Sequence, residues 1–498
     1  MKVTGEQPEA AGTTEPTPPR PSIFTILPYI MLPMAMAASD QTILSTALPA
    51  IAGALGGVAS ISWIVVAGIV SGVAAAPVYG QLRDVYGSRR MMAIALCIYM
   101  AASLFCASAP TFGLLVFGRF LQGLGGGGLM TLSQAIIGET IPPRERAQYQ
   151  GYLAAVVVTA SVAGPIIGGF LTAHTGWRSV FLFNVPLGLL ALIVTLRGPS
   201  RAPEPRSWSF DFAGLALFFC CIAPLLLALD AAHTLSVDKI PIVAGLLIIA
   251  AASLFGLIKQ ERHAFTPLLP VSLLRQRTIW MSDALAACHG AALVSLATLL
   301  PLYLHVMHGA TAADTGIVLL PLMLGIGSGS MITGRFVSRT GRTAVFPSIG
   351  LTLATLLLVQ QALFMDRWSR VQLLFSLLCV GMSMGSVMSV VQVTVQSAAG
   401  GRAIGSAAAS VQISRSVGAA LGTTISGAVL FGALHFGDPG AAQAFADLFD
   451  PLHSSASAAP IAASSSSIGA AFRAAFLTIA IFTALGATIA WRIPKRRL

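Results

Sequence analysis

Fourteen apolar stretches, at about 23–50, 61–80, 91–109, 112–137, 148–172, 178–196, 211–230, 241–258, 279–304, 313–336, 344–364, 371–395, 403–434 and 471–491, take up most of this 498-residue chain. A helix needs about 20 apolar residues to cross roughly 30 Å of hydrocarbon. Within hydrocarbon every backbone N–H and C=O must be paired, so only helices or a closed barrel can span. The period-two alternation of barrel strands is absent from the sequence. The expectation is therefore an all-α integral membrane protein with 14 transmembrane helices. Charged residues make up only 9% of the chain, against roughly 25% in a soluble domain.

The formal net charge of +11 raises the question of nucleic acid, and the distribution of the charge answers it. With the N-terminus placed in the cytoplasm, 22 of the 29 Lys and Arg fall in cytoplasmic loops and tails. Two, Arg119 and Arg415, fall inside spans. This is the positive-inside pattern, and it predicts a multi-pass cell-membrane protein with both termini cytoplasmic and no nucleic-acid partner. Trp63, Trp177, Trp208, Trp280, Trp368 and Trp491 stand at span ends, where an indole suits the headgroup layer. Residues 1–22 lack the basic start of a cleaved signal and read as a disordered cytoplasmic tail. The six cysteines lie in apolar helices without metal-ligand spacing.

An internal repeat organises the spans. The loop after the second reads Gly80-Gln-Leu-Arg-Asp84-Val-Tyr-Gly87-Ser-Arg89-Arg90, and the loop after the tenth reads Gly334-Arg-Phe-Val-Ser338-Arg-Thr-Gly341-Arg342. Gly recurs at zero and +7, a polar residue at +4, and arginines follow. The domain expectation is an N-terminal six-helix bundle (23–200), an inserted helix pair (201–262), a C-terminal six-helix bundle (263–491) with an outer loop at about 435–470, and a basic tail (492–498). Such repeats mark secondary transporters, whose substrate site lies between the halves near the midplane. In the first loop Asp84 can act as a conformational latch, with the arginines anchoring the helix at the inner leaflet. Ser338 makes the second copy a weaker latch.

The chemistry lies in a few polar residues within the spans. Asp40 is a lone carboxylate in a long apolar run, at a cost on the order of 3 kcal/mol on insertion scales. Burial disfavours its charged form, as a proton-exchanging group requires; the bland alternative is an acid that only holds the bundle together. Arg119, ahead of Gln122 and the run Gly125–Gly128, needs an acid or carbonyl partner. Gly164-Pro165-Ile-Ile-Gly168-Gly169 bends the fifth span and exposes a flat face. Asp283 is a second proton-site candidate or a solvated interfacial acid. His289 can titrate or pack, Arg415 must have a partner, and Glu139 reads as a helix-end cap. His305 and His308 read as interfacial polar residues, and no metal is expected.

Gly80–Arg90, Arg119–Gly128 and Gly164–Gly169 resemble, in order, three signature motifs of the major facilitator superfamily. Ser39–Pro49 is similar to the first-helix signature of its fourteen-span drug:proton antiporters (the EmrB/QacA type), Trp177–Pro186 to the start of their sixth helix and Phe210–Gly214 to their seventh. Ala160 and Ser338 depart from the pattern. The resemblance implies the major facilitator fold and efflux of amphipathic, cationic drugs, hence antibiotic resistance, by alternating access. The energy source would be the proton gradient, with no cofactor, and the setting the bacterial inner membrane. Asp40 would bind the proton and Arg119 would tune it. Asp84 would latch the inner side against Arg119 or the start of span thirteen, and Gly164 and Pro165 would shape the seam between halves. A periplasmic adaptor and an outer-membrane channel stay open as partners.

Two alternatives stand beside this reading. One keeps the fold and makes the cargo a dedicated metabolite such as a siderophore, peptide or pigment. The other is a non-transporting sensor or scaffold, which the cost of burying Asp40 and Arg119 disfavours. An enzyme is not expected: the sequence shows no nucleophile–base set, and Gly125–Gly128 lacks the Lys-Ser/Thr of a nucleotide loop.

Overall fold

The structure is a computed structural model that describes residues 23–56, 61–198, 211–232, 240–264, 267–268, 271–400, 403–437 and 465–494. The expectations for the two tails, for Trp208 and for the outer loop beyond residue 437 lie outside these residues. The described residues form helices α1 (Ile23–Leu55), α2 (Ser62–Tyr86), α3 (Ser88–Ser108), α4 (Phe112–Thr140), α5 (Pro143–Thr175), α6 (Arg178–Leu182), α7 (Asn184–Arg197), α8 (Phe212–Ala232), α9 (Ile240–His263), α10 (Val271–Leu274), α11 (Arg277–His308), α12 (Ala312–Thr340), α13 (Val345–Phe364), α14 (Arg370–Ala399), α15 (Ile404–Gly437) and α16 (Ser465–Arg492). Each of the fourteen expected spans is helical. The sixth is made of α6 and α7, broken at Phe183. Pro186 explains the break, because it has no N–H to offer the Leu182 carbonyl one turn back.

Twelve described spans are long and apolar enough to cross a membrane. Of the two remaining expected spans, α1 has 33 residues, with Asp40 and Gln41 in mid-helix, and α4 has 29, with Arg119, Gln122 and the glycine run.

The N-terminal bundle is held by α2 on α4, α3 on α4 and α1 on α5, and the C-terminal bundle by α12 on α14, α11 on α15 and α13 on α16. Each bundle has its own apolar core: Tyr29, Met92, Tyr99 and Leu132 in the first, Leu296, Leu322, Leu377 and Phe472 in the second. The halves meet along two matched seams, α2 with α15 and α5 with α12. The first glycine of each repeated loop stands on one of them. A Cβ on Gly80 would lie 2.7 Å from the Gly405 carbonyl oxygen, and one on Gly334 would lie 2.9 Å from the Ala147 carbonyl carbon. The sequence repeat is thus a structural repeat: in both halves that glycine lets a helix backbone touch the opposite half.

The expected inserted pair, α8 and α9, packs against itself and, through Phe218, Ile222 and Leu226, against Val70, Val73 and Ala74 of α2. It also touches α15, so it flanks the α2–α15 seam. Asp211 caps α8 by accepting from Gly214 N at 2.8 Å, and also accepts from Gln260 of α9 at 3.1 Å. Trp177 departs from the interfacial expectation. It is 5% exposed and packs edge-on against Phe181, with the Arg178 guanidinium 4.3 Å from its ring centroid.

Candidate functional site: a buried carboxylate–guanidinium pair between α1 and α4

Close approach of α2 and α4 builds the site. Gly68 and Gly72 on α2 face Gly123 and Gly127 on α4, small residues four apart on both helices, and a side chain on Gly127 would overlap the Gly72 backbone. At this spacing Arg119 Nε reaches the Ile64 carbonyl of α2 at 3.3 Å, a long hydrogen bond to an acceptor that the helix otherwise uses itself. Arg119 Nη1 donates to Asp40 Oδ2 of α1 at 2.7 Å, and the same nitrogen donates to Gln122 Oε1. Asp40 Oδ1 accepts from Gln122 Nε2 at 3.1 Å and from Asn184 Nδ2 at 3.2 Å. Gln122 is held in turn by Ser103 Oγ at 2.9 Å. Asp40 is 8% exposed, Arg119 4%. The pair borders a cavity of about 90 Å³ that extends along Leu44, Ile69 and Met130 to Gln412 and Ser416 of α15 in the other half.

The family resemblance implied that Arg119 acts on Asp40, and the structure places the two together. Sequence reasoning missed Gln122 and Asn184 as ligands of the carboxylate. The signal for Asn184 was present: an isolated amide two residues before a proline at the start of a span, where the helix break turns it inward.

The loop residues Gly80, Asp84, Gly87, Arg89 and Arg90 form a second cluster at the end where the halves close. Gly87 ends α2 at φ 85°, a conformation that strains any residue with a side chain. Arg83 Nη1 stands 3.2 Å from Asp84 and Arg83 Nη2 3.3 Å from Glu139, while Ser88 Oγ bonds Glu139 and accepts from Arg83 Nε at 3.0 Å. Arg89 donates to the Gly198 carbonyl at 3.4 Å, and Arg90 lies 5.7 Å from the Tyr86 ring centroid. Two expectations are corrected here. Arg119 is held by Asp40, so it is not the partner of Asp84. Glu139 does not cap a helix end: it sits in the last turn of α4, where only a cation makes a carboxylate welcome, and Arg83 supplies one.

The Gly-Pro motif also sits elsewhere than expected. Gly168 packs on the backbone of Ile43, where an added Cβ would stand 2.7 Å from its carbonyl oxygen, and Gly164 packs on Thr42. Gly169 meets nothing within 4 Å, and Pro165 is exposed. Gly164 and Gly168 line the α1–α5 contact inside one half, two and three residues beyond Asp40. The seam between halves uses the other end of α5, at Ala147, Gly151 and Ala155.

In the C-terminal half Asp283 is 7% exposed and Ser410 Oγ donates to it at 3.3 Å. The hydrogen bond between His289 Nε2 and the Met384 carbonyl, 3.2 Å, makes Nε2 the protonated nitrogen. Arg415 donates to Gln412 Oε1. These residues do not join the Asp40 cluster. The six cysteines are free thiols, and no described group of three or more His, Cys, Asp or Glu could hold a metal. A larger cavity of about 570 Å³, lined by Val78, Leu82, Ile98, Phe120 and Phe219, is apolar and lies between α8 and the N-terminal bundle, away from these charges.

Two seam-matched helical bundles around a buried ion pair define a multi-pass membrane transporter. The family follows from comparison: a model of the Major Facilitator Superfamily matches residues 30–423, and the chain belongs to that family. It is 30% identical over 402 residues to the multidrug transporter protein MdtP of Bacillus subtilis, covering 80% of this chain and 74% of that one. It is 31% identical over 380 residues to the acurin A biosynthesis cluster MFS-type transporter of Aspergillus aculeatus, covering 72% and 67%. The solved structure of the E. coli fucose:proton symporter FucP superposes with a TM-score of 0.64 over 95% of this chain and 99% of that one. At 13% identity that likeness shows the fold alone. The protein is a transporter and not an enzyme.

Proposed function

We propose that this chain is a proton-coupled efflux transporter of the fourteen-span drug:proton antiporter branch, exporting amphipathic compounds by alternating access. On this reading α1 and α4 also span, both termini are cytoplasmic, and the membrane is a bacterial inner membrane. The observation that carries the proposal is the Asp40–Arg119 pair at the edge of the cavity between halves. A proton arriving on Asp40 cancels its attraction for Arg119. Gln122 Oε1 and the Ile64 carbonyl already bond that guanidinium, so Arg119 keeps acceptors when the carboxylate is neutral. Protonation then frees α1 from α4 without stranding a charge, and the halves can exchange the closed loop-end seam for the opposite one. Gly80 and Gly334 form the contacts that part.

A dedicated metabolite cargo is the second reading, favoured by the relative named for a biosynthesis cluster. Both readings share one test. In proteoliposomes carrying an internal pH dye, an imposed proton gradient should drive rhodamine uptake with matching proton movement, and Asp40→Asn should abolish both. Uptake that is unchanged in Asp40→Asn would refute Asp40 as the coupling site.

A further inference from the structure

Asp40 is the embedded acid expected to exchange the proton, and Arg119, Gln122 and Asn184 already satisfy it. The charge left over in the space between halves is of the opposite sign. Arg415 stands 11 residues into α15, about 16 Å along its axis and near mid-depth. Its one hydrogen bond among the described residues goes to a neutral amide, Gln412, and no acid stands within ion-pair distance of it. The acid on the adjoining helix, Asp283, lies six residues from His289, about 9 Å along α11, and is bonded to Ser410. His289 offers no negative charge.

The surroundings of Arg415 are those of a site. Arg415, Gln412, His289, Gln392 and Gln134 line a cleft of about 20 Å³ where α15, α11 and α14 meet α4 of the other half. Gln392 is 5% exposed and its Nε2 has no hydrogen-bond partner; Gln134 is 7% exposed and its Oε1 has none. An unpaired amide donor and an unpaired amide acceptor buried beside an uncompensated cation are costly, unless a ligand completes them. One turn on, Gln412 and Ser416 also border the cavity of the Asp40 pair, so the cleft opens into the same central space.

We propose that Arg415, with the side-chain amides of Gln392 and Gln412, binds a carboxylate carried by the cargo. The exported molecule is then an amphipathic acid or zwitterion whose apolar body lies in the cavity towards Met130 and Ile69. The inference rests on the central cavity being the cargo site. It gives Arg415 an anionic partner, which no described residue supplies, and it separates the roles of the two embedded arginines. Arg119 answers to the proton on Asp40, and Arg415 answers to the substrate.

Rhodamine 110 and rhodamine 123 share one ring system and differ only as free carboxylate and methyl ester. Equilibrium binding of both dyes to the purified full chain, with no gradient, tests the proposal apart from proton coupling. Wild type should bind the free acid at least tenfold more tightly than the ester, the worth of one charge-assisted contact. Arg415→Gln should abolish the preference, with free-acid binding weakened at least tenfold. Arg415→Lys, which keeps the charge and guards against misfolding, should keep part of it. Equal binding of the dyes, a preference for the ester, a preference surviving Arg415→Gln, or binding of neither dye to folded wild type would overturn the assignment. Loss of gradient-driven uptake with the preference intact would instead count against the coupling mechanism.

Discussion

Replacing Asp40 by Asn removes one charge and almost no volume, so its effect isolates the ion pair. In the native site Asp40 receives Arg119 at 2.7 Å, Gln122 at 3.1 Å and Asn184 at 3.2 Å. The asparagine keeps one acceptor and turns an amide donor towards a guanidinium. Breaking a buried pair by removing one partner costs about 3–5 kcal/mol. Here Arg119 retains Gln122 and the Ile64 carbonyl, which places Asp40→Asn near the lower end, about 3 kcal/mol. Arg119→Gln should cost a similar amount, because it leaves an anion with only two amide donors. The double variant holds no charge, so it should cost only about 3–4 kcal/mol where additive effects would give about 6, a coupling energy of about 2–3 kcal/mol. Denaturant unfolding in detergent, followed through the helical signal, measures all four corners of the cycle. Single variants within about 0.5 kcal/mol of wild type, or strictly additive effects, would refute the pair as a stabilising unit. The transport arm reads differently: the double variant, about as stable as either single one, should still be unable to couple a proton gradient to dye uptake. A double variant that transports at the wild-type rate would remove Asp40 from the mechanism altogether.

Two further outcomes follow from the loop cluster and the seam. Gly80→Ala places a methyl 2.7 Å from the Gly405 carbonyl oxygen; overpacking of about 1–3 kcal/mol should hold the α2–α15 seam apart, seen as a longer distance between spin labels at the loop ends of those helices. An unchanged distance distribution would show that this contact does not report the closed state. Glu139→Gln keeps the shape of the side chain but takes the anion from Arg83, and should cost about 1–2 kcal/mol. Dye uptake should then show a lower kcat at unchanged KM, and a raised KM alone would show that the Arg83–Glu139 brace serves binding rather than movement.

The helical class and the helix positions were legible because they follow from apolarity over a window, and hydrocarbon obliges an embedded charge such as Arg119 to find a partner; that the partner is Asp40 was implied by the family resemblance. Gln122, Asn184 and Glu139 were harder to read. An amide or a loop-end acid costs little when alone, so nothing in the sequence obliges it to pair, and its role depends on which helices cross beside it. The Gly-Pro motif shows the same limit. A flat helix face is readable, but α5 is long enough to serve two neighbours, and only the crossing geometry shows that Gly164 and Gly168 face α1 while Gly151 faces α12.

The two helices that hold the buried pair carry it among otherwise apolar residues, and that has a physical consequence. A helix that spends Asp40, Gln41, Thr42 and Thr46, or Arg119, Gln122 and four glycines, on polar contacts and close approach has less apolar surface with which to face lipid. Such a helix is stable only inside a bundle. Accordingly α1 is sheltered by α4, α5 and α7, and α4 by α2, α3 and α1. By contrast α9, which carries no described charge before Lys259, turns most of its surface outward. Shelter by neighbouring helices, not apolarity, therefore separates the helices that carry the chemistry from those that face outward: α1 and α4 hold their charges inside the N-terminal bundle, and α9 carries none before Lys259.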